Sequence, residues 1–272
     1  MLTFVPTPLG NLDDITFRAL KALKEAEVIL CEDTRVAKRL LALLAQRFEM
    51  EFGPKEFFSL HEHNQRIFFQ KITPDLFTKS VVYMSDAGMP GISDPGSELV
   101  RYAQEHGIAY TVLPGPTAFA TAYVASGFGN KEFCFFGFLP HKGKERSQKL
   151  EEILALGSDA ILYEAPHRLL KLLEQIVQID PDRELFLAKE LTKIYERYFK
   201  GSAKELLDLF QKEPIKGEWV VVIRGIKRAE ESITLTQEQI MELTLPKKEK
   251  AKLLARLGTR SAKEWYGLLN DS

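Results

Sequence analysis

Three segments rich in glycine and proline each follow a short apolar run: Thr7-Pro8-Leu9-Gly10-Asn11-Leu12, Ser85 to Gly96 and Pro114-Gly115-Pro116-Thr117-Ala118. Glycine lets a backbone come close to a ligand and leaves its N–H groups free to donate. One such loop is an ordinary turn. Three at strand ends, one of them spanning Ser85-Asp86-Ala87-Gly88-Met89-Pro90-Gly91-Ile92-Ser93-Asp94-Pro95-Gly96, predict a cleft for a small polar ligand with adenine-like or ribose-like groups. They are not a phosphate cradle: neither Gly-x-x-x-x-Gly-Lys-Ser/Thr nor a post-strand Gly-x-Gly-x-x-Gly occurs in them.

A second set is ionisable: Cys31-Glu32-Asp33-Thr34-Arg35, Tyr163-Glu164-Ala165-Pro166-His167-Arg168 and Lys189-Glu190-Leu191-Thr192-Lys193. Each closes an apolar run, so the charges are expected on one rim. Singly, such charges are commonly just solvated. Together they offer the acids, bases and cations that a hydroxyl nucleophile and a polyanionic substrate need. His61 and His63 stand two apart with no third ligand in view, which argues against a metal. Cys31 and Cys134 sit in apolar stretches without ligand spacing and read as buried, reduced thiols.

These residues need a scaffold. Apolar runs at 2–6, 27–31, 80–84 and 110–113 alternate with helical spacing at 14–23, 36–44 and 97–105, which predicts a mostly parallel α/β sheet in the first 120 residues. A second α/β domain is expected over 121–228, with strands at 133–138, 160–163, 185–188 and 219–223 and helices at 168–177 and 203–210. Phe128-Gly129-Asn130 reads as a hinge and His141-Lys142-Gly143-Lys144-Glu145-Arg146 as a basic loop. The remainder, 234–272, is expected as a helical tail with helices at 237–243, 247–257 and 261–268 and a Gly258-Thr259 turn, which weakly resembles a helix-turn-helix piece.

The chain has 272 residues, 45% hydrophobic and 28% charged, as globular proteins have. No apolar run approaches the length of a membrane span and no signal peptide is visible at the N-terminus, so a cytoplasmic protein without membrane contact is expected. The net charge of −1 carries no global basic footprint. Yet Leu245 to Trp265 holds seven basic residues against two acidic ones. That window is either a solvated helix face or a phosphate-contacting appendage.

The motifs just quoted, from Pro6 to Thr16, Cys31 to Arg35, Ser85 to Gly96, Pro114 to Ala118, Tyr163 to Arg168 and Lys189 to Thr192, closely resemble those of the ribosomal RNA small subunit methyltransferase I family, within the tetrapyrrole-methylase superfamily. The resemblance runs from about Thr3 to Gly225 and more weakly into the tail. It implies two α/β domains with S-adenosyl-L-methionine in the cleft between them, a homodimer, and 2′-O-methylation of cytidine 1402 of 16S rRNA in the small ribosomal subunit. It implies cofactor contacts at Leu9, Gly10, Asp86, Gly88, Met89, Gly91, Thr117, Ala118, Tyr163, Ala188 and Glu218, with Met89 standing where the family usually has Thr. His167, Lys189, Glu190, Glu164 and Asp94 are the catalytic candidates, with His167 or Glu190 favoured as proton acceptor and Lys189 as electrostatic helper. Arg35, His141, Lys142, Arg168, Lys247, Lys248 and Lys252 are expected to meet RNA. No metal is required. Two alternatives stay open: a tetrapyrrole methyltransferase on the same fold, and a ribosome-assembly protein that binds RNA without catalysis.

Overall fold

Strands β2 (Val28–Cys31) and β4 (Val81–Met84) are buried at every position, so both of their faces must be covered. A computed structural model, describing residues 1–94, 96–130, 132–226, 236–258 and 260–271, shows how. Five parallel strands, β1 (Leu2–Phe4), β2, β3 (Glu56–Ser59), β4 and β5 (Tyr110–Val112), form one sheet in the order β3-β2-β4-β1-β5. Ile29, Cys31, Val82 and Met84 face helices α1 (Phe17–Glu25) and α2 (Thr34–Phe48). Leu2, Phe4, Val28, Leu30 and Tyr83 face the other way, onto Leu60, Phe77 and helix α4 (Gly96–Glu105), with Phe68 and Phe69 of α3 (Gln65–Lys71) at the edge of that cluster.

Helix α5 (Ala118–Ser126) leaves the first sheet and packs on the second, so residue 120, the expected domain boundary, lies inside a helix. The second sheet orders β6 (Phe133–Phe138), β7 (Asp159–Glu164), β10 (Trp219–Ile223), β8 (Glu184–Lys189) and β9 (Arg197–Ser202) as β6-β7-β10-β8-β9. Only β6 and β7 run parallel; the other neighbours are antiparallel. Helices α6 (Gly143–Ala155), α7 (Pro166–Ile179) and α8 (Ala203–Phe210) cover one face, and α5 with Phe128 and Leu191 covers the other.

Two expectations need correction here. The basic loop ends at Lys142: Gly143 to Arg146 are the first turn of α6, which turns Arg146, Leu150, Ile153 and Leu154 inward. Lys142 and His141 stay exposed before it. The proposed hinge is pinned. Phe128 lies under Lys200 and Arg224, 4.9 and 5.6 Å from its ring centre, and Asn130 donates 2.8 Å to the buried Asp159. Tyr123 and the Gly225 N–H complete the Asp159 carboxylate.

The Cα packing divides the chain into two compact units, Met1–Ile226 and Lys227–Ser272. In the second, α9 (Gln237–Glu242), α10 (Lys247–Leu257) and α11 (Ala262–Asp271) close on Ile240, Ala251, Leu254, Trp265 and Leu269. The buried stripe of α10 runs through positions 251 and 254, and Leu257 at its end and Leu268 of α11, both expected to pack, are about half exposed. Pro95 of the long loop, Thr234 and Leu235 of the tail, and Thr259 of its turn lie outside the described residues.

Candidate active site

Because the first sheet is wholly parallel, the segments after β1, β2, β4 and β5 all emerge at one edge. In the second sheet β7 and β8 run against β10, so Glu164 and Lys189 flank Trp219 at one end. A cavity of about 390 Å³ is walled by both edges. From the first lobe come Leu9, Ala87, Gly88, Met89 and Ile92; from α5 and the second lobe come Thr117, Ala118, Phe138, Tyr163 to Pro166, Ala188, Leu191 and Glu218 to Val220. The size and mostly apolar wall, with a few polar groups, suit a small-molecule ligand.

The structure brings eight of the eleven expected cofactor residues to this wall: Leu9, Gly88, Met89, Thr117, Ala118, Tyr163, Ala188 and Glu218. Gly10, Asp86 and Gly91 are not among its lining residues. Trp219, Val220 and Phe138 are lining residues that the sequence offers only as strand positions. The Glu218 beside Trp219 was the one available signal.

The catalytic candidates separate sharply. Asp94 Oδ1 accepts from Gly91 N–H at 2.7 Å, Gly96 N–H at 2.8 Å and the Tyr83 hydroxyl at 3.1 Å, so it fastens the long loop rather than standing ready for a proton. Glu164 touches the cavity, but its carboxylate is buried against Arg146 at 2.8 Å and Arg168 at 3.0 Å, the latter an ion-pair contact with the N–H off line. Arg168 also donates to Leu139 O and Pro140 O, so this expected RNA contact is committed inside the fold. Glu190 accepts from Glu218 N–H at 2.9 Å and pairs with Lys193 at 3.1 Å. Burial raises its pKa, but the Glu218 N–H and the charges of Lys193 and Lys189 outweigh that and hold it below the usual range. Lys189 lies 5.7 Å from the Trp219 ring centre. His167 is exposed in the first turn of α7, one residue past the cavity-lining Pro166. Arg35 is 90% exposed yet chelated by Asp33, whose carboxyl it pulls to about 2.

An acidic rim lies beside the cavity. Glu32 Oε1 accepts from Asp86 N–H at 3.2 Å, and Asp86 Oδ1 accepts from Asp33 N–H at 3.4 Å. Burial raises the Glu32 pKa above the ordinary range; Asp86 N–H opposes this, and the charges of Asp86 and Asp94 add to it. Asp86 is raised by burial as well. Cys31 beneath them is pushed up to about 12, chiefly by burial, and offers no thiolate at neutral pH.

A carboxyl whose folded pKa is raised contributes stability below its unfolded pKa and loses it as pH rises through the folded one. Glu32→Gln keeps an acceptor for Asp86 N–H and deletes the charge. Its Tm should exceed the parent's at neutral pH, and the gap should close as pH falls below the carboxylate range. A variant less stable than the parent at pH 7 in a thermal-melt series would contradict that account of the rim.

The family model for tetrapyrrole (corrin/porphyrin) methylases matches residues 1–207. A Campylobacter fetus protein named ribosomal RNA small subunit methyltransferase I is 49% identical over 98% of both chains. A Helicobacter pylori protein of the same name is 46% identical over 98% of this chain and 96% of its own. Another from Thermotoga maritima is 41% identical, covering 82% of this chain and 98% of its own. Among solved structures, uroporphyrin-III C-methyltransferase from Thermus thermophilus, complexed with S-adenyl homocysteine, superposes with a TM-score of 0.58 at 17% identity, over 81% of this chain and 96% of that one.

Proposed function

Since the chain belongs to the ribosomal RNA small subunit methyltransferase I family, we propose that it methylates the ribose 2′-hydroxyl of cytidine 1402 in 16S rRNA, using S-adenosylmethionine. The observation that carries the reading is the cavity walled by the loop ends of both sheets. It fits the cofactor: at Gly88 (φ +80°) the wall is bare backbone, where an added Cβ would meet Leu9 Cδ2 at 3.1 Å. The same reading takes the active form to be a cytoplasmic homodimer. Among the described residues no helix is long and apolar enough to cross a membrane.

Bound there, S-adenosylmethionine supplies an electrophilic methyl group on a sulfonium. Leu9, Gly88, Met89, Thr117, Ala118, Tyr163, Ala188 and Glu218 hold it, and Leu9, Ile92, Phe138 and Trp219 keep water from the reacting atoms. Alignment of the partners in a dry site contributes roughly 7–11 kcal/mol to such a reaction. The ribose hydroxyl still has to lose its proton. Of the five catalytic candidates, His167 is the acceptor the geometry favours, because Glu164, Asp94 and Glu190 are engaged in the fold. Lys189, beside Trp219 at the same end of the sheet, is the electrostatic helper in this reading.

The test is transfer of labelled methyl to naked 16S rRNA and to assembled small subunits, with mass spectrometry of the digested nucleosides. A methyl on the cytosine ring, transfer to a tetrapyrrole in place of RNA, or uptake of RNA without any transfer would each sink the proposal.

The tail is assigned to RNA. Lys247, Lys248 and Arg256 of α10 have no acidic partner among the described residues; Lys252 lies 3.0 Å from Glu249 and Lys250 caps Met241 O. Truncation after residue 226 should leave cofactor binding intact and weaken RNA binding. The log–log salt slope should also flatten by roughly 0.7–0.9 for each phosphate that is no longer neutralised. Unchanged methylation by the truncated chain across a salt series would make the tail a packing element only.

A further inference from the structure

The segment after β8 makes contacts that neither sheet requires. Glu190 and Thr192 hold φ values of 52° and 64°, backbone that L-residues rarely adopt and that persists only where the surroundings enforce it. The enforcement comes from two directions. Thr192 Oγ1 accepts from Asn11 N–H of the first lobe at 3.1 Å. Lys193 reaches back to Glu190 at 3.1 Å and to Glu218 at 3.0 Å, while the Glu190 carboxylate accepts from Glu218 N–H at 2.9 Å. Two glycines make room for this. An ideal Cβ on Gly10 would fall into Lys193 Cγ, and one on Gly217 would meet Glu190 Cγ at 2.7 Å. The stem of Lys193 thus lies on the first-lobe loop while its ammonium ties two carboxylates of the second. One of those carboxylates, Glu218, belongs to a residue of the cavity wall, and so does Leu9, the neighbour of Gly10.

We infer that Lys193 is a positioning residue, which clasps the two lobes at the mouth of the cavity and holds both Glu218 and the Leu9–Asn11 loop where the methyl donor binds. This rests on the reading of the cavity as a donor site. Lys193 does not itself line the cavity; it acts through the wall residue Glu218 and through Gly10, the neighbour of Leu9. Burial pulls its ammonium down, but the hydrogen bonds and charges of Glu218 and Glu190 outweigh that, so it stays charged through neutral pH. Methionine at 193 would keep the apolar stem on Gly10 and release both carboxylates. Alanine at 10 would push the stem away from the other side.

The experiment pairs two readouts on Lys193→Met, Lys193→Arg and Gly10→Ala: calorimetric titration with S-adenosylmethionine, and amide hydrogen exchange of the Gly10–Leu12 segment in the unliganded chain. Lys193→Met should raise the donor dissociation constant about tenfold, as expected when a charge-assisted contact is withdrawn. The KM for the donor should rise with it, kcat should change little, and exchange at Asn11 should speed up. Lys193→Arg should restore both readouts, and Gly10→Ala should reproduce the methionine variant. Unchanged exchange in Lys193→Met overturns the clasp, and so does faster exchange with parental donor affinity. Absence of binding heat from the parent chain is the failure of the donor reading itself, and the exchange arm then judges the clasp alone.

Discussion

Arg146→Met should destabilise the protein by about 3–5 kcal/mol, the cost of leaving one partner of a buried pair without the other. Arg146 is 1% exposed, as is its partner Glu164. Nη2 donates to Glu164 Oε2 at 2.8 Å, Nε to Gln175 Oε1 at 2.9 Å, and Nη1 reaches Pro140 O at 3.4 Å. The guanidinium therefore joins α6, α7, the end of β7 and the segment after β6. With it gone, the Glu164 carboxylate keeps Ala165 N–H and the off-line Arg168. At roughly 2–4 °C per kcal/mol for a unit of this size, the melting temperature should fall by on the order of 10 °C. Adding Glu164→Gln to Arg146→Met should recover much of that loss, because the uncompensated charge disappears. A melt of Arg146→Met within 2 °C of the parent, or a double variant no better than the single, would show that the pair is not what holds these elements.

The same residues show where sequence reading succeeds. The strands with β-branched and apolar runs, at 28–31, 81–84 and 219–223, are legible because burial on both faces leaves a continuous apolar signature. The first lobe's share of the cavity wall is legible for a related reason: in a parallel sheet every strand delivers its following loop to the same edge. Four kinds of element are not legible. The edge strands β3, Glu-Phe-Phe-Ser, and β9, Arg-Tyr-Phe-Lys-Gly-Ser, are partly solvated and carry mixed patterns. Helix α5 shows no period, because small and apolar residues run all round it: Ala122 is buried on the second sheet while Val124 on the other side is exposed. Helix α6 opens on charges, one of which is buried. The direction of a strand-end side chain cannot be read at all. Thus Glu164, Asp94 and Glu190 look alike in sequence as acids at a rim, yet one is locked to two arginines, one fastens a loop and one is held by a lysine. Only the packing of α6 and α7, the course of the loop after β4 and the turn after β8 distinguish them.

Gly88→Val should reduce affinity for S-adenosylmethionine by about a hundredfold or more, the loss of nearly 3 kcal/mol. Gly88 has φ +80°, a region that costs an L-residue about 1–2 kcal/mol. It cannot rotate out of that region, because it is paired on both sides: Thr7 N–H donates to Gly88 O at 2.9 Å, Gly88 N–H to Thr7 O at 3.0 Å, and Ser85 Oγ lies 3.3 Å from the same carbonyl. The new side chain is therefore driven toward Leu9 Cδ2, 3.1 Å from the Cβ, on the wall of the cavity. Strain and obstruction can be separated with Gly107→Ala. That position also has a positive φ, of 63°, but an added Cβ meets nothing within 4 Å, and it lies in the turn after α4. It should lose stability to the backbone alone and keep parental donor affinity. Titrations run well below the melting temperature of each variant then report the cavity and not the folded fraction. Donor binding by Gly88→Val at parental strength would mean that the ligand does not lie against this loop, and the cavity at the two sheet edges would no longer account for methyl transfer.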